Sequence, residues 1–334
     1  MKRMPLAAIA AASALATLLF AAEPSKGYSQ DQTTETIIQP EITSATKTFS
    51  PGFKGELEKV VAAHHGVMGL SYHNLKTNEQ VEVNGDVQFP TASTIKLAVM
   101  CTVFDEFVKP NSIFKSYYDT RKYDEATSTG GSGFVHNYKD GTKIELKELL
   151  HFMITVSDNV ATNMICEWLG LGPVNDWLSH HGFVQTRMFS TIGGSRVWNQ
   201  QGREEWGLGR TTPHEMAHLM EMIATGKAGT TSTTGEMLRL LQHQYFDDLI
   251  GGEVPPMVWI GSKSGAVNHS RSDNAIVASC DGTYILSVYT KDNADTSWTN
   301  KNEAELRIRE IAKIVWKHAN PESTWTRPEG ADKF

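Results

Sequence analysis

The most informative segment of the chain reads Phe89-Pro90-Thr91-Ala92-Ser93-Thr94-Ile95-Lys96, and an apolar stretch with helical spacing, Leu97–Val108, follows it. A serine at the start of a helix lies where backbone N–H groups and the helix dipole stabilise developing negative charge. Lys96 is three residues further on, on the same helical face. A desolvated lysine amine is a base that a serine nucleophile can use. The segment therefore predicts a nucleophile and its base, although Ser-x-x-Lys alone equally describes a helix N-cap beside a solvated lysine.

A second polar triplet, Ser157-Asp158-Asn159, follows the apolar run His151–Val156. A hydroxyl and an amide placed in this way can carry a proton and hold a substrate amide. By itself the triplet equally describes a polar junction between two helices.

A third triplet, Lys263-Ser264-Gly265, is predicted to end an apolar strand. A cation and a hydroxyl there suit a substrate that bears a carboxylate, and a glycine lets the backbone approach closely. The next backbone N–H, on Ala266, is predicted to pair with that of Ser93 as an oxyanion hole.

The order of the predicted elements indicates an α/β fold of the α+β kind. Strands are predicted near both chain ends and helices between them, so one sheet assembled from both ends with a helical insertion at about residues 88–250 is expected. The segment between Thr186 and Pro213 is Gly-rich and without a clear period, which predicts a long surface loop. The predicted strands and helices cover residues 53–64, 66–72, 81–83, 97–108, 144–169, 257–262, 275–278, 284–289 and 302–318.

Composition describes an ordinary globular protein of 334 residues. The formal net charge is −7, which argues against general nucleic-acid binding, and 40% hydrophobic with 21% charged residues excludes disordered and polytopic membrane chains. Lys2 and Arg3 followed by the apolar run Leu6–Ala22 predict a secretory signal over residues 1–22. An uncleaved membrane anchor is the alternative. Residues 23–52 are predicted to be a flexible linker, 53–320 the folded domain and 321–334 a tail.

Three cysteines, Cys101, Cys166 and Cys280, all lie in apolar stretches. An exported protein can form disulfides, but an odd number leaves at least one thiol free. We expect three separate, buried, small hydrophobic residues.

The three triplets occur together and in register, and the chain resembles the penicillin-recognising serine enzymes, most closely the class A β-lactamase group. The resemblance runs from about residue 53 to 320. It includes Phe89-Pro90 before the serine, Thr211-Thr212-Pro213 after the long loop, and Arg271 shortly after the third triplet. It implies a two-lobe fold, with an antiparallel sheet beside an all-helical lobe.

The resemblance also implies roles for individual residues. Ser93 corresponds to the acylated nucleophile, Lys96 to its base or proton relay, and Ser157 to the proton carrier toward the leaving nitrogen. The remaining residues correspond to substrate contacts: Asn159 for a side-chain amide, and Lys263, Ser264 and Arg271 for the substrate carboxylate.

One departure from the family is prominent. The β-lactamases use a loop glutamate to activate the water that hydrolyses the acyl-enzyme. That position falls on Ile192 when counted from Thr186-Arg187 and near Arg196 when counted from Pro213. The loop has no acid before Glu204 and Glu205, which are the only local substitutes. The sequence therefore predicts acylation but slow hydrolysis of penicillins.

A competing motif, His214-Glu215-Met216-Ala217-His218, matches the zinc-peptidase pattern H-E-x-x-H. Pro213 makes it the start of a helix, and no third ligand is evident, so polar surface residues are the preferred interpretation.

The sequence thus predicts an exported serine hydrolase, periplasmic or secreted, that needs no metal or cofactor. The expected partner is a small β-lactam or a peptidoglycan-type peptide, not nucleic acid, and the chain is expected to be a monomer with no stable membrane insertion after signal cleavage. The alternatives are a D,D-peptidase, a penicillin-sensing module and a zinc peptidase using His214 and His218.

Overall fold

The computed structural model describes residues 51–331. The predicted signal segment and the predicted linker up to residue 50 lie outside the described residues. Helices and strands are numbered in chain order. The helices are α1 Pro51–Ala62, α2 Lys96–Phe107, α3 Leu146–Thr155, α4 Asn159–Leu169, α5 Leu171–His180, α6 Gln200–Trp206, α7 Pro213–Ala224, α8 Thr231–Gln242 and α9 Glu303–Ala319. The strands are β1 Val67–Asn74, β2 Glu79–Val83, β3 Phe89–Pro90, β4 Thr120–Lys122, β5 Lys143–Glu145, β6 Arg187–Met188, β7 Gly209–Thr211, β8 Trp259–Val267, β9 Ser270–Ser279 and β10 Gly282–Lys291.

The main sheet is antiparallel and has the strand order β2-β1-β10-β9-β8. Its register pairs Val67 with Lys291 and Trp259 with Ala278, so the first strands pair with the last strand of the chain. The predicted sheet from both chain ends, with helices inserted between, is therefore confirmed. Strand β8 is an edge strand, which leaves alternate backbone groups along it without a partner strand.

The sheet has an apolar core on each of its two faces. One lies between the sheet and the helical lobe and is built on the buried face of α2, from Leu97 to Phe104, and on α3, α4 and α7. The other lies on the opposite face of the sheet under α1 and α9, with Leu57, Leu70 and Ile308 fully buried. After α9, Trp325 packs against this second core and Arg327 donates to the carbonyl of Gly252.

The predicted helical stretch from Ile144 to Leu169 is interrupted. It begins with the end of β5 and continues as α3 and α4, and these two helices are separate because Ser157 takes a left-handed conformation with φ 54° between them. The late strands are longer than predicted. Strand β8 continues to Val267, so Lys263-Ser264-Gly265 lies inside a strand and not at its end.

The cysteine expectation is correct for two residues and wrong for the third. Cys101 and Cys166 are buried, whereas Cys280 is exposed, because it lies in the turn between β9 and β10 and not within either strand. All three are free thiols. Within residues 51–331, no helix combines the length and apolar character that a membrane crossing requires.

Candidate active site

Ser93 lies in a single turn of 3₁₀ helix, Ala92–Ile95, that leads into α2. The turn is fixed by the Thr94 hydroxyl, which donates to the carbonyl of Thr91 at 2.8 Å, while the N–H of Thr91 donates to Gly209 of β7. Thr91 and not Ser93 occupies the cap position. The Ser93 side chain lines a cavity of about 550 Å³, and its hydroxyl makes no hydrogen bond within residues 51–331, so it is free to meet a substrate.

Lys96 is fully buried at the first position of α2. Its Nζ donates to the carbonyl of Ser157 at 2.6 Å, to the Ser157 hydroxyl at 3.1 Å and to Oδ1 of Asn159 at 3.0 Å. Burial, and next the charge of Lys263, lower the pKa of Lys96 well below its usual range. Three donated bonds need the charged ammonium, whereas the lowered pKa favours the neutral amine. The neutral amine keeps two of these bonds and has a lone pair that can accept a proton.

The break between α3 and α4 is what turns Ser157 toward Lys96. Asp158 caps α4 by accepting from the N–H of Ala161 at 2.8 Å. Its other carboxylate oxygen accepts from the N–H groups of Phe134 and Val135, at 2.6 and 2.9 Å. Asp158 therefore ties the loop beside the cavity to the helix that carries Asn159. No role was predicted for Asp158, although an Asp before an apolar helix is a cap signal.

The Ser157 hydroxyl lies between two lysines, 3.1 Å from Nζ of Lys96 and 3.1 Å from Nζ of Lys263. A hydroxyl that contacts two amines can receive a proton from one while it gives its own to a third group. The geometry is that of a proton relay beside the nucleophile.

Lys263, Ser264 and Gly265 lie on β8 against the turn that carries Ser93. A Cβ on Gly265 would lie 2.8 Å from the carbonyl oxygen of Thr91, so only glycine permits this approach. Lys263 is fully buried, and this burial lowers the pKa of its amine to about 7 even though the charge of Asp273 opposes the change. Ser264, Gly265 and Ala266 line the Ser93 cavity.

Arg271 also borders this cavity, but its guanidinium is engaged by the protein. It is 1% exposed, and its Nε pairs with Glu305 at 3.0 Å. The other nitrogens donate to the carbonyls of Val267, Ser270 and Ser297, and the Trp298 ring lies 4.3 Å away. Arg271 thus fastens the β8–β9 turn to the segment before α9, which differs from the free carboxylate ligand that the family resemblance implies.

A buried polar chain beneath the nucleophile turn was not foreseen. Asn274 donates to the carbonyl of Lys263 and to the Tyr289 hydroxyl, which in turn donates to Thr94 at 2.9 Å. These bonds connect β8, β9, β10 and the turn of Ser93. Asp273 and Asn274 end a polar run in β9, directly before the apolar residues 275–278, and their polarity alone gives no indication of these partners.

The long loop is held against α4 at one residue. The side-chain amide of Asn163 donates to the carbonyl of Ile192 at 2.9 Å and accepts from its N–H at 3.0 Å. Asn163 lies one helical turn beyond Asn159, on the same face. Arg196 is exposed and closes a turn with Thr191. Ile192 and Arg196 were the two predicted positions for the family's glutamate. Of the two, Ile192 is the one whose backbone is bonded to α4.

Glu204 and Glu205 lie on α6 within the loop, and neither lines the Ser93 cavity. Glu204 accepts from the side-chain amide of Gln200 at 2.7 Å. Glu205 is exposed and borders a neighbouring cavity. The structure does not bring either carboxylate to the nucleophile.

The H-E-x-x-H segment starts α7, and its glutamate has a structural task. The Glu215 carboxylate accepts from the N–H groups of Val184, Gln185 and Thr186 and from the Thr186 hydroxyl, at 2.6 to 2.8 Å. His214 pairs with Glu82 at 2.7 Å. Among the described residues no three His, Cys, Asp or Glu side chains are grouped as metal ligands. A carboxylate occupied by four donors is unavailable as the base of a zinc peptidase.

Fold and site together define an active-site serine hydrolase of two-lobe α/β architecture. The family model described as "Beta-lactamase enzyme family" matches residues 52–319, and the chain belongs to this family.

The chain is similar to two curated proteins of Pseudomonas aeruginosa. It is 21% identical to beta-lactamase VEB-1, over 79% of this chain and 89% of that protein. It is 26% identical to beta-lactamase CARB-4, over 75% of this chain and 85% of that protein.

Solved structures share the fold. A beta-lactamase from Sphaerobacter thermophilus is 24% identical with a TM-score of 0.70, and PBP-A is 21% identical with a TM-score of 0.71. Each comparison covers 81% of this chain and 97% of the other chain.

Proposed function

We propose that this protein is exported and that Ser93 attacks the carbonyl of a β-lactam or a D-alanyl-type amide, forming an acyl-enzyme that is hydrolysed slowly. One observation carries the proposal. The Ser157 hydroxyl contacts both Lys96 and Lys263 at 3.1 Å, and it lines the same cavity as Ser93, whose hydroxyl has no hydrogen-bond partner among residues 51–331.

The residues divide the acylation step between them. Neutral Lys96 takes the proton of the Ser93 hydroxyl as Oγ bonds to the substrate carbonyl carbon. The carbon–nitrogen bond of the amide then breaks. The leaving nitrogen receives the proton of the Ser157 hydroxyl, and Lys96 returns one to Ser157 across their 3.1 Å contact. No proton is gained or lost over the sequence.

Substrate positioning is assigned to β8 and α4. Charged Lys263 and the Ser264 hydroxyl bind the carboxylate, and Asn159 binds the side-chain amide with the Nδ2 hydrogen that does not donate to Gly130. The N–H groups of Ser93 and Ala266 polarise the carbonyl.

Slow hydrolysis follows from Ile192. Its backbone is fixed by Asn163, and an apolar side chain there cannot deprotonate water. Positioned acid–base help contributes roughly 10²–10⁴-fold to a rate. The likeness to PBP-A supports acylation by penicillins, because a mutant of PBP-A has been solved as an acyl-enzyme complex with penicillin G.

Ile192 also favours a second candidate, a peptidoglycan D,D-peptidase, over a rapid β-lactamase. A sensing module whose acyl-enzyme persists shares the same chemistry. Steady turnover of a D-alanyl peptide after an initial burst identifies the peptidase, and a burst alone identifies the sensor.

Export rests on the two cations and the apolar run at residues 2–22. N-terminal sequencing of protein recovered outside the cytoplasm tests it, since a retained Met1 would contradict cleavage.

Labelling with a fluorescent penicillin tests the nucleophile. Ser93→Ala should abolish the covalent adduct, while Ser179→Ala, an exposed serine on α5, should label like the parent. Full labelling of Ser93→Ala would overturn the proposal.

A further inference from the structure

A second cavity, of about 600 Å³, lies on the other side of the nucleophile turn. Ala92 borders it on one side, the long loop from Ser190 to Leu208 on another, and the ends of β8 and β10 close it. A cavity of this size holds a small organic ligand. None of the catalytic or substrate-binding residues assigned above lines it.

Arg203 of α6 lines this cavity with its charge unpaired. The side chain is half-buried, and its guanidinium lies against the turn at Gly194, where an added Cβ would overlap it. Within residues 51–331 the guanidinium makes neither a hydrogen bond nor an ion pair. A half-buried guanidinium without an acceptor favours an anion at this place.

Lys291, at the end of β10, is a second cation in the same cavity. Its Nζ lies 5.2 Å from the centre of the Trp206 ring and 5.7 Å from that of Phe89. In the described part of the chain it contacts no carboxylate or carbonyl acceptor. The two rings hold its position but leave its three donors available.

Ser270 gives an independent indication of a ligand. The residue is 1% exposed, lines the cavity, and its Oγ has no hydrogen-bond partner in the described structure. Leaving a buried hydroxyl unsatisfied costs about 1–3 kcal/mol. An oxygen of a bound molecule would supply the missing partner.

The acids of the cavity lie at its mouth. Glu205 and Asp292 are both exposed, as is His269, whose Nδ1 is bonded to the carbonyl of Asn293. The interior therefore carries two cations and an unsatisfied hydroxyl, while the rim carries two carboxylates. A ligand that matches this division is negative at its inner end and positive at its outer end.

We propose that this cavity binds a short zwitterionic peptide, with its terminal carboxylate on Arg203, Lys291 and Ser270. Its ammonium group then lies between Glu205 and Asp292. The volume is sufficient for a dipeptide. The inference goes beyond the proposed acyl-enzyme chemistry and does not depend on it, because no bond is made or broken here.

Calorimetric titration of the Ser93→Ala protein with L-alanyl-L-alanine tests the site, because this peptide offers no D-alanyl amide to the nucleophile. Binding should be the same in the parent and in Ser93→Ala. N-acetyl-alanine, which lacks the ammonium, and alaninamide, which lacks the carboxylate, should each bind about tenfold or more weakly than the dipeptide.

Three variants test the assigned contacts. Arg203→Met and Lys291→Met should each weaken the dipeptide about tenfold, whereas Lys59→Met, an exposed lysine on α1, should not. Ser270→Ala should weaken binding several-fold and leave the melting temperature of the ligand-free protein unchanged or raised, since the hydroxyl has no partner to lose. This variant keeps the test valid if the charge variants do not fold.

Three results would overturn the proposal. The first is no binding of the dipeptide at tens of millimolar. The second is binding that survives both charge variants. The third is N-acetyl-alanine binding as well as the dipeptide, which would exclude a zwitterion.

Discussion

Asn163 holds both backbone polar groups of Ile192, accepting from its N–H at 3.0 Å and donating to its carbonyl at 2.9 Å. The long loop is therefore anchored to α4 at Ile192, one of the two positions, with Arg196, at which the family resemblance places a glutamate. The backbone at Ile192 is held in place, but its side chain has no carboxylate to activate water.

Ile192→Glu should accelerate hydrolysis of the acyl-enzyme by roughly tenfold to 10²-fold, because it supplies a carboxylate on an already anchored backbone. The lifetime of the benzylpenicillin adduct, followed by mass spectrometry, measures it. Arg196→Glu, on an exposed residue of the same loop, is the matched control and should have no effect. Equal lifetimes in Ile192→Glu and the parent would remove position 192 from the deacylation site.

Replacing Glu204 and Glu205 together by Gln should leave the adduct lifetime unchanged within about twofold. Glu204 is bonded to Gln200 and Glu205 borders the other cavity, so neither reaches the ester of Ser93. The same mass-spectrometric decay serves as the readout. A parent that turns over quickly, with a double variant that stalls, would show that the loop moves one of them into place.

Acylation by a penicillin should fall as the pH rises through about 7. Burial lowers the pKa of Lys263 to about 7, so the amine loses the charge that binds the substrate carboxylate above this pH. Stopped-flow labelling rates between pH 5 and 9 measure the decline. Lys263→Arg keeps its charge, so its labelling rate should not decline. The parent protein should likewise show no decline with a penicillin methyl ester, which has no carboxylate. An identical decline with the ester would assign the titration to another group.

The same amine predicts the pH dependence of stability. Between about pH 7 and its ordinary pKa, the unfolded chain binds a proton at Lys263 that the folded chain does not. The free energy of unfolding of the parent should therefore rise over this range relative to Lys263→Met. Parallel urea denaturation curves at pH 7 and 9.5 provide the comparison. A difference between the two proteins that does not change with pH would contradict it.

Arg271→Gln should lower stability by about 3–5 kcal/mol, because it leaves Glu305 partly buried without its cation. It should not change the preference for penicillin over its methyl ester, since the guanidinium is bonded to the protein. Denaturation midpoints and the ratio of the two labelling rates separate the effects. A lost preference with little loss of stability would return Arg271 to the carboxylate site.

Within the H-E-x-x-H segment, Glu215→Ala should destabilise the protein by a few kcal/mol, about 1–3 for each orphaned buried donor, while His214→Ala should be mild. Glu215 accepts four hydrogen bonds from residues 184–186, whereas His214 makes one partly exposed pair. Labelling by penicillin should be insensitive to a chelator. Activity that is lost on zinc removal and restored by zinc would favour the peptidase interpretation.

The sequence predicted the fold well where local patterns are strong. The strands predicted near both chain ends correctly indicated the sheet, and the apolar periodicity of Leu97–Val108 correctly predicted α2. A helix junction at Ser157 was one of the two interpretations of its triplet. The apolar spacing from Ile144 to Leu169 instead favoured one continuous helix, and the left-handed backbone of Ser157 has no sequence pattern of its own. Cys280 was expected to be buried because it follows an apolar stretch, but it lies in the turn after β9 and is exposed.

The residues of the candidate site were predicted by their triplets, but their partners were not. Nothing in the chain order connects Arg271 with Glu305, or Asn163 with Ile192, because both contacts join segments that are far apart in sequence. The polar chain through Asn274 and Tyr289 likewise arises only when three strands are paired. Tertiary contacts of this kind determine whether a charged side chain such as Arg271 is available to bind a substrate or is bonded to other residues of the protein.

The left-handed backbone at Ser157 restricts which amino acid can supply the relay hydroxyl. Threonine carries the same group, but its branched Cβ is disfavoured at φ 54°. Glycine and asparagine accept this conformation, yet neither carries a hydroxyl between Lys96 and Lys263. The left-handed backbone therefore disfavours replacing Ser157 by threonine, although threonine would keep the hydroxyl. Backbone conformation at residue 157 thus restricts the choice of relay residue more than the need for a hydroxyl group does.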